Sequence, residues 1–107
     1  MVYCSVLNLN HYYNEIGNLH FSIINLKGTT DSNGIIYSDS GDIDLSKKIT
    51  YIDCVSNTIS RDGFRCGIIV FEDIENSKLR FKIAANNNTS FTNYQFNTYV
   101  LMVYKLA

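Results

Sequence analysis

The sequence predicts an all-β chain, an antiparallel β-sandwich of jelly-roll or lectin-like type with about seven strands. Three observations predict it. In Lys78–Ala85, apolar Leu79, Phe81 and Ile83 alternate with charged Lys78, Arg80 and Lys82, the two-residue period of a strand with one face on a core and one in water. Strand-forming Ile, Val, Tyr, Phe and Thr are abundant while Pro and Trp are absent, which leaves the turns to Gly, Asn, Asp and Ser. No stretch carries the 3.6-residue period of an amphipathic helix, and turn residues interrupt the apolar runs at the spacing usual in sandwiches.

Taken in order, residues 2–9 read as a strand, with Val2, Cys4 and Val6 on one face and Tyr3, Ser5 and Leu7 on the other. A polar, aromatic loop follows over residues 10–18. Residues 19–26 form the second strand, presenting Leu19, Phe21 and Ile23 on one side. Residues 27–34 are a turn segment whose Asn33-Gly34 step suits positive φ. The short strand 35–37 ends at the Ser/Asp/Gly cluster 38–42. Residues 45–48 are compatible with one helical turn, after which 49–56 resume a β pattern. Residues 57–63 read as a loop, 64–72 as a central strand that is apolar nearly throughout, and 73–77 as the turn into Lys78–Ala85. The last strand, Gln95–Leu106, is apolar on both faces: Tyr99, Leu101 and Val103 point one way, Val100, Met102 and Tyr104 the other. With Lys78–Ala85 it reads as a C-terminal hairpin, and its second face calls for cover from another sheet or another subunit.

The 107 residues suffice for one domain with a single modest core. A net charge of −1 and no basic run longer than Lys47-Lys48 argue against nucleic acid or an anionic membrane as the main partner. No secretory signal pattern opens the sequence, and no apolar run approaches the roughly 20 residues that span a bilayer. Cys4, Cys54 and Cys66 form no CxxC pair and no Cys/His cluster at zinc spacing, so three reduced thiols packed as small apolar groups are expected, as suits a reducing cytoplasm, with a disulfide between two of them as the alternative.

The turn Gly28-Thr29-Thr30-Asp31-Ser32-Asn33-Gly34, the polar-then-apolar stretch 45–55, the strand Ser77-Lys78-Leu79-Arg80-Phe81-Lys82-Ile83 and the aromatic-aliphatic close over residues 99–105 together resemble the C-terminal tip domains of bacteriophage and prophage tail fibres and baseplate receptor-binding proteins. The resemblance covers residues 19–107 and rests on spacing and turn chemistry. Two features depart from it: Phe81 stands where many such domains carry Trp, and His11 and His20 do not form the His-x-His iron site of some fibre needles. The resemblance implies a homotrimer, assembled in the host cytoplasm and placed at the virion's tail-fibre or baseplate tip. It also implies a bacterial surface glycan or protein as ligand, bound at distal loops or subunit interfaces. The three-fold axis would be lined by Tyr99, Leu101 and Val103, or by the opposite set Val100, Met102 and Tyr104.

Sugars present apolar C–H faces ringed by hydroxyls, so a binder needs an aromatic plate beside amide and carboxylate partners. The loop residues Tyr12, Tyr13, Asn14 and Glu15 supply that set. An up-and-down strand order would bring them to the same end as Asp39 and Asp42. The opposite end would gather Asp31, Arg61, Asp62, Asn88 and Tyr94, where a local Arg–Asp turn interaction competes with ligand reading. Asp39, Asp42 and Asp44 around Gly41 invite a calcium reading, but the spacing is not that of an EF-hand and turn formation is the plainer account. No catalytic signature accompanies His11 and His20. A non-enzymatic adhesion module needing no cofactor is therefore expected, with a structural virion or assembly subunit and a free-standing lectin as alternatives.

Overall fold

Turn chemistry sets the reversals of the chain, and the strands between them form two antiparallel sheets. The computed structural model describes residues 19–55, 57–60, 66–85 and 91–107. Their strands are β1 (Leu19–Thr29), β2 (Ile35–Ser38), β3 (Ile49–Cys54), β4 (Asn57–Ser60), β5 (Cys66–Glu75), β6 (Lys78–Ala85) and β7 (Gln95–Leu106). One sheet has the order β1-β7-β3, the other β2-β6-β5-β4. The described residues hold no helix, and all pairings are antiparallel. The strand expected over residues 2–9 lies outside the described residues.

The strands alternate in against out as the period demands. From β1, Ile24 and Leu26 turn inward; from β7, Phe96, Val100, Met102 and Tyr104. They meet Ile36, Ile69, Leu79, Phe81 and Ile83 of the four-stranded sheet in one core, to which the loops add Ile43 and Phe91. Phe71 packs edge-on against Phe81 at 5.5 Å. Burying such side chains stabilises by roughly 1.5–3 kcal/mol each, and it fixes which face of each strand points to water.

The segment 28–34 shows why its residues are needed together. Thr30, only 1% exposed, donates its hydroxyl to the Phe91 carbonyl at 2.6 Å and accepts the Tyr94 amide at 2.8 Å. It thereby ties the end of β1 to the approach of β7. The Asp31 carboxylate accepts the amides of Asn33 (2.7 Å) and Ile35 (3.0 Å), an Asx-type turn. Gly34 closes that turn at φ +78°, a conformation in which a Cβ is strained.

Several sequence-based expectations change. β1 continues to Thr29, three residues past its predicted end, because 27–29 pair with 95–97. Residues 45–48 form a turn rather than a helical turn, with the Lys47 amide on the Asp44 carbonyl at 3.2 Å. Asn57–Ser60, predicted as loop, is strand β4, paired with 66–69. β5 runs on to Glu75, and the hairpin to β6 needs only Asn76 and Ser77, both at positive φ (52° and 62°) as a tight primed turn requires. The expected C-terminal hairpin does not form: β6 lies between β2 and β5, β7 lies between β1 and β3, and the connection passes from one sheet to the other. Alternation alone cannot report such a crossing, since both sheets use the same period.

Candidate functional site

A groove of about 470 Å³ runs along the open side of the molecule, where the edge strands β1 and β2 of the two sheets face one another. From β1 come Ile23, Ile24, Asn25 and Lys27; from β2 and the turn after it come Tyr37, Ser38, Asp39 and Gly41; from β6 comes Lys78. Outward positions of β1 alternate along one face, so Asn25 and Lys27 follow apolar Phe21 and Ile23 toward the groove. Gly41 is held at φ +58°, and a Cβ there would stand 3.1 Å from Ile24 Cδ1, so the turn closes directly on the core.

Hydrogen bonds hold the walls in place. Asn25 Nδ2 donates to Asn97 Oδ1 (3.1 Å) and to the Thr98 carbonyl (3.3 Å), both on β7. Lys78 Nζ lies 2.5 Å from Asp39 Oδ1, and that hydrogen bond and charge hold the Asp39 carboxyl below the ordinary carboxylate value. The Tyr37 hydroxyl donates to Glu75 Oε2 at 3.3 Å. Partial burial, then the Glu75 charge, pushes the phenol above its usual value. Glu75 also takes Arg80 Nη1 at 2.8 Å, while Arg80 Nε lies 2.9 Å from Glu72 Oε1. A bulge between Phe71 and Asp73 resets the register of β5 at this point, and a bulge adds twist and re-aims side chains. Tyr37 is thus a part-exposed ring anchored at its hydroxyl.

A second feature adjoins the groove. The outer face of the three-stranded sheet is apolar in successive rows: Phe21 opposite Val103, then Ile23 opposite Leu101. Phe21, Ile23 and Tyr99 are 61%, 67% and 69% exposed. Tyr51 and Val55 add exposed apolar surface beside β7. Soluble proteins seldom expose contiguous apolar patches of this kind without a use for them.

Of the predicted ligand residues, Tyr12, Tyr13, Asn14 and Glu15 lie outside the described residues. Asp39 lines the groove; Asp42 is exposed on the neighbouring turn and is not part of the wall. Tyr99, Leu101 and Val103 share the outer face of β7, whereas the alternative axis set, Val100, Met102 and Tyr104, is buried in the core. Asp31 and Tyr94 at the other end serve the Thr30–Asp31 turn; Arg61, Asp62 and Asn88 lie outside the described residues. Asp44 accepts from Ser46. Among the described residues no three His, Cys, Asp or Glu come together to hold a metal. His20 stacks on Tyr104 at 5.2 Å. Cys54 is a free thiol, and burial raises it above its usual value.

Asn25, Lys27, Tyr37 and Lys78 were not singled out from the sequence. The polar turn of β1's outer face at Asn25 and Lys27 was a visible signal, but the pairing of that edge with Tyr37 depends on two sheets meeting. Comparison with family models, with curated proteins and with solved structures finds no match. No helix among the described residues is long and apolar enough to cross a membrane.

Proposed function

We propose that the chain is a non-enzymatic receptor-binding module, a jelly-roll or lectin-like β-sandwich at the tip of a phage tail fibre or baseplate that recognises bacterial surface carbohydrate. The observation that carries this reading is the groove between β1 and β2, where the anchored ring of Tyr37 stands beside the Asn25 amide and the Asp39 carboxylate. An aromatic face takes the C–H surface of a sugar ring, and amide and carboxylate oxygens take its hydroxyls. The resemblance of residues 19–107 to fibre-tip domains supports the same reading, and a location in the virion is part of the proposal. Neither nucleic acid nor membrane insertion enters this reading.

The test is a glycan array of bacterial surface polysaccharides, run with the wild type and with Tyr37→Ala. Binding by the wild type that falls at least about tenfold in the variant, with the circular dichroism spectrum unchanged, is the expected outcome. Binding that persists undiminished in Tyr37→Ala moves the ligand elsewhere, and hydrolysis of a bound polysaccharide overturns the non-enzymatic assignment.

The apolar outer face of β1 and β7 favours a second reading, a structural virion or assembly subunit that oligomerises through Tyr99, Leu101 and Val103. The two are compatible: a homotrimer packed on this face would leave the groove at its rim. A trimer that binds no glycan or host cell wall would support the structural reading alone, and a compact monomer in light scattering would remove the trimer from both.

A further inference from the structure

We infer that the groove takes an acidic saccharide, a polyhydroxylated chain bearing carboxylate or phosphate groups. The inference rests on the carbohydrate reading above and adds the charge of the ligand to it. It follows from which polar groups of the wall are already engaged and which are left to face a ligand.

The wall carries three charges: Lys27, Lys78 and Asp39. Asp39 and Lys78 pair at 2.5 Å and cancel. Lys27 takes part in none of the ion pairs among the described residues, so its ammonium is left to face a ligand, whereas the Glu72 and Glu75 carboxylates near Tyr37 are both engaged by Arg80. That ammonium is not the by-product of a basic protein, since the chain as a whole is −1. The neutral groups are oriented as well. The Asn25 amide nitrogen is engaged by Asn97 and Thr98, which turns its Oδ1 into the atom available to a ligand. The Tyr37 hydroxyl gives its proton to Glu75, and the Ser38 hydroxyl gives its own to the Asp39 carbonyl. What remains is a set of acceptors (Asn25 Oδ1, Asp39 Oδ2, the phenol oxygen) together with the ammonium donors of Lys27 and Lys78.

Sugar hydroxyls supply donors to those acceptors, and the Tyr37 ring supplies a surface for C–H groups. A neutral sugar leaves the Lys27 ammonium to water. A carboxylate or phosphate makes charge-assisted hydrogen bonds with it, about twice as strong as neutral ones. Nucleic acid is a poorer occupant: duplex or single-strand binding draws on many phosphate contacts or a ladder of stacked aromatics, and this wall offers one unpaired cation and one ring.

The experiment is calorimetric titration with four probes of equal length: oligogalacturonate, oligogalactose, a phosphorylated oligogalactose and a single-stranded oligonucleotide. Each is run at about 20 and about 300 mM salt, with wild type and Lys27→Gln. Lys27 is exposed on a strand edge, so the variant keeps its fold, which circular dichroism checks. The expected result is that one or both acidic saccharides bind at least about tenfold tighter than oligogalactose at low salt. Lys27→Gln should remove most of that difference. The carboxylate and phosphate arms tell which anion the groove takes. Equal or tighter binding of the neutral oligomer overturns the inference and leaves the carbohydrate reading standing. So does an acidic preference that survives Lys27→Gln. Oligonucleotide binding tighter than both acidic saccharides also overturns it. No saccharide bound here or on the glycan array sinks both readings.

Discussion

Replacing Thr30 by Val isolates the latch between the end of β1 and the approach of β7. The exchange keeps the shape of the side chain and converts the hydroxyl to a methyl. Thr30 is 1% exposed; its hydroxyl donates to the Phe91 carbonyl at 2.6 Å and accepts the Tyr94 amide at 2.8 Å. Both backbone groups lose a partner in Thr30→Val, while the Tyr94 carbonyl keeps the Thr30 amide at 3.0 Å. Each buried group left unsatisfied costs about 1–3 kcal/mol, and the added buried methyl returns roughly 0.8 kcal/mol. The Tyr94 end is only part-buried, so water relieves some of its loss. The net expectation is about 2–4 kcal/mol, a large share of the roughly 5–15 kcal/mol that stabilises a domain of this size. Urea unfolding followed by circular dichroism should show the midpoint falling with an unchanged slope. Thr30→Ser, which keeps the hydroxyl and loses the methyl, should recover most of the difference. A Thr30→Val protein within about 0.5 kcal/mol of wild type, or a Thr30→Ser protein as weak as Thr30→Val, would refute the latch.

Three further outcomes are expected. Gly41→Ala places a Cβ at φ +58° and 3.1 Å from Ile24 Cδ1, so it should destabilise by about 1–2 kcal/mol in the same urea assay; a neutral effect would mean that the turn tolerates movement away from the core. Leu101→Asp puts a charge in the centre of the apolar outer face without touching the core; if the proposed trimer packs on this face, multi-angle light scattering should show a trimer for the wild type and a monomer for the variant, with the strand signal intact. Asp31 accepts the Ile35 and Asn33 amides, and the Ile35 bond is the main reason its carboxyl lies below the usual value. A depressed folded value means stability that is present above the unfolded value near 3.9 and lost as pH falls through the folded one. Wild type should therefore lose stability below about pH 4 relative to Asp31→Asn, whose amide oxygen still accepts. A difference between the two that stays constant from pH 7 to pH 2 contradicts this.

Strand content and the alternation of side chains were legible because they depend on period alone; which face turns inward was legible for β6, whose other face is charged, and not for β1, where apolar Phe21 and Ile23 lie outward. Alternating Leu79, Phe81 and Ile83 had to turn inward wherever β6 was placed, and the Asn33-Gly34 step had to turn. Residues 57–60 were not legible as a strand, since nothing local in Asn57-Thr58-Ile59-Ser60 marks it; the edge of β5 recruits it. The bulge near Glu72 was hidden for the same reason: a register shift exists only relative to a partner strand.

The site divides along the same line. Asp39 could be named from its turn, and Tyr99, Leu101 and Val103 from the doubly apolar β7. The sequence by itself determined an all-β chain, the inward and outward sets of β6, and an apolar second face on β7. The tertiary structure alone decided that β6 and β7 belong to different sheets, that Val100, Met102 and Tyr104 form the core, and that Tyr37 and Lys78 meet Asn25 and Lys27 across an open edge. Periodicity is local and survives any arrangement of strands; adjacency between sheets comes from burying all the apolar faces at once, and no single segment carries that information.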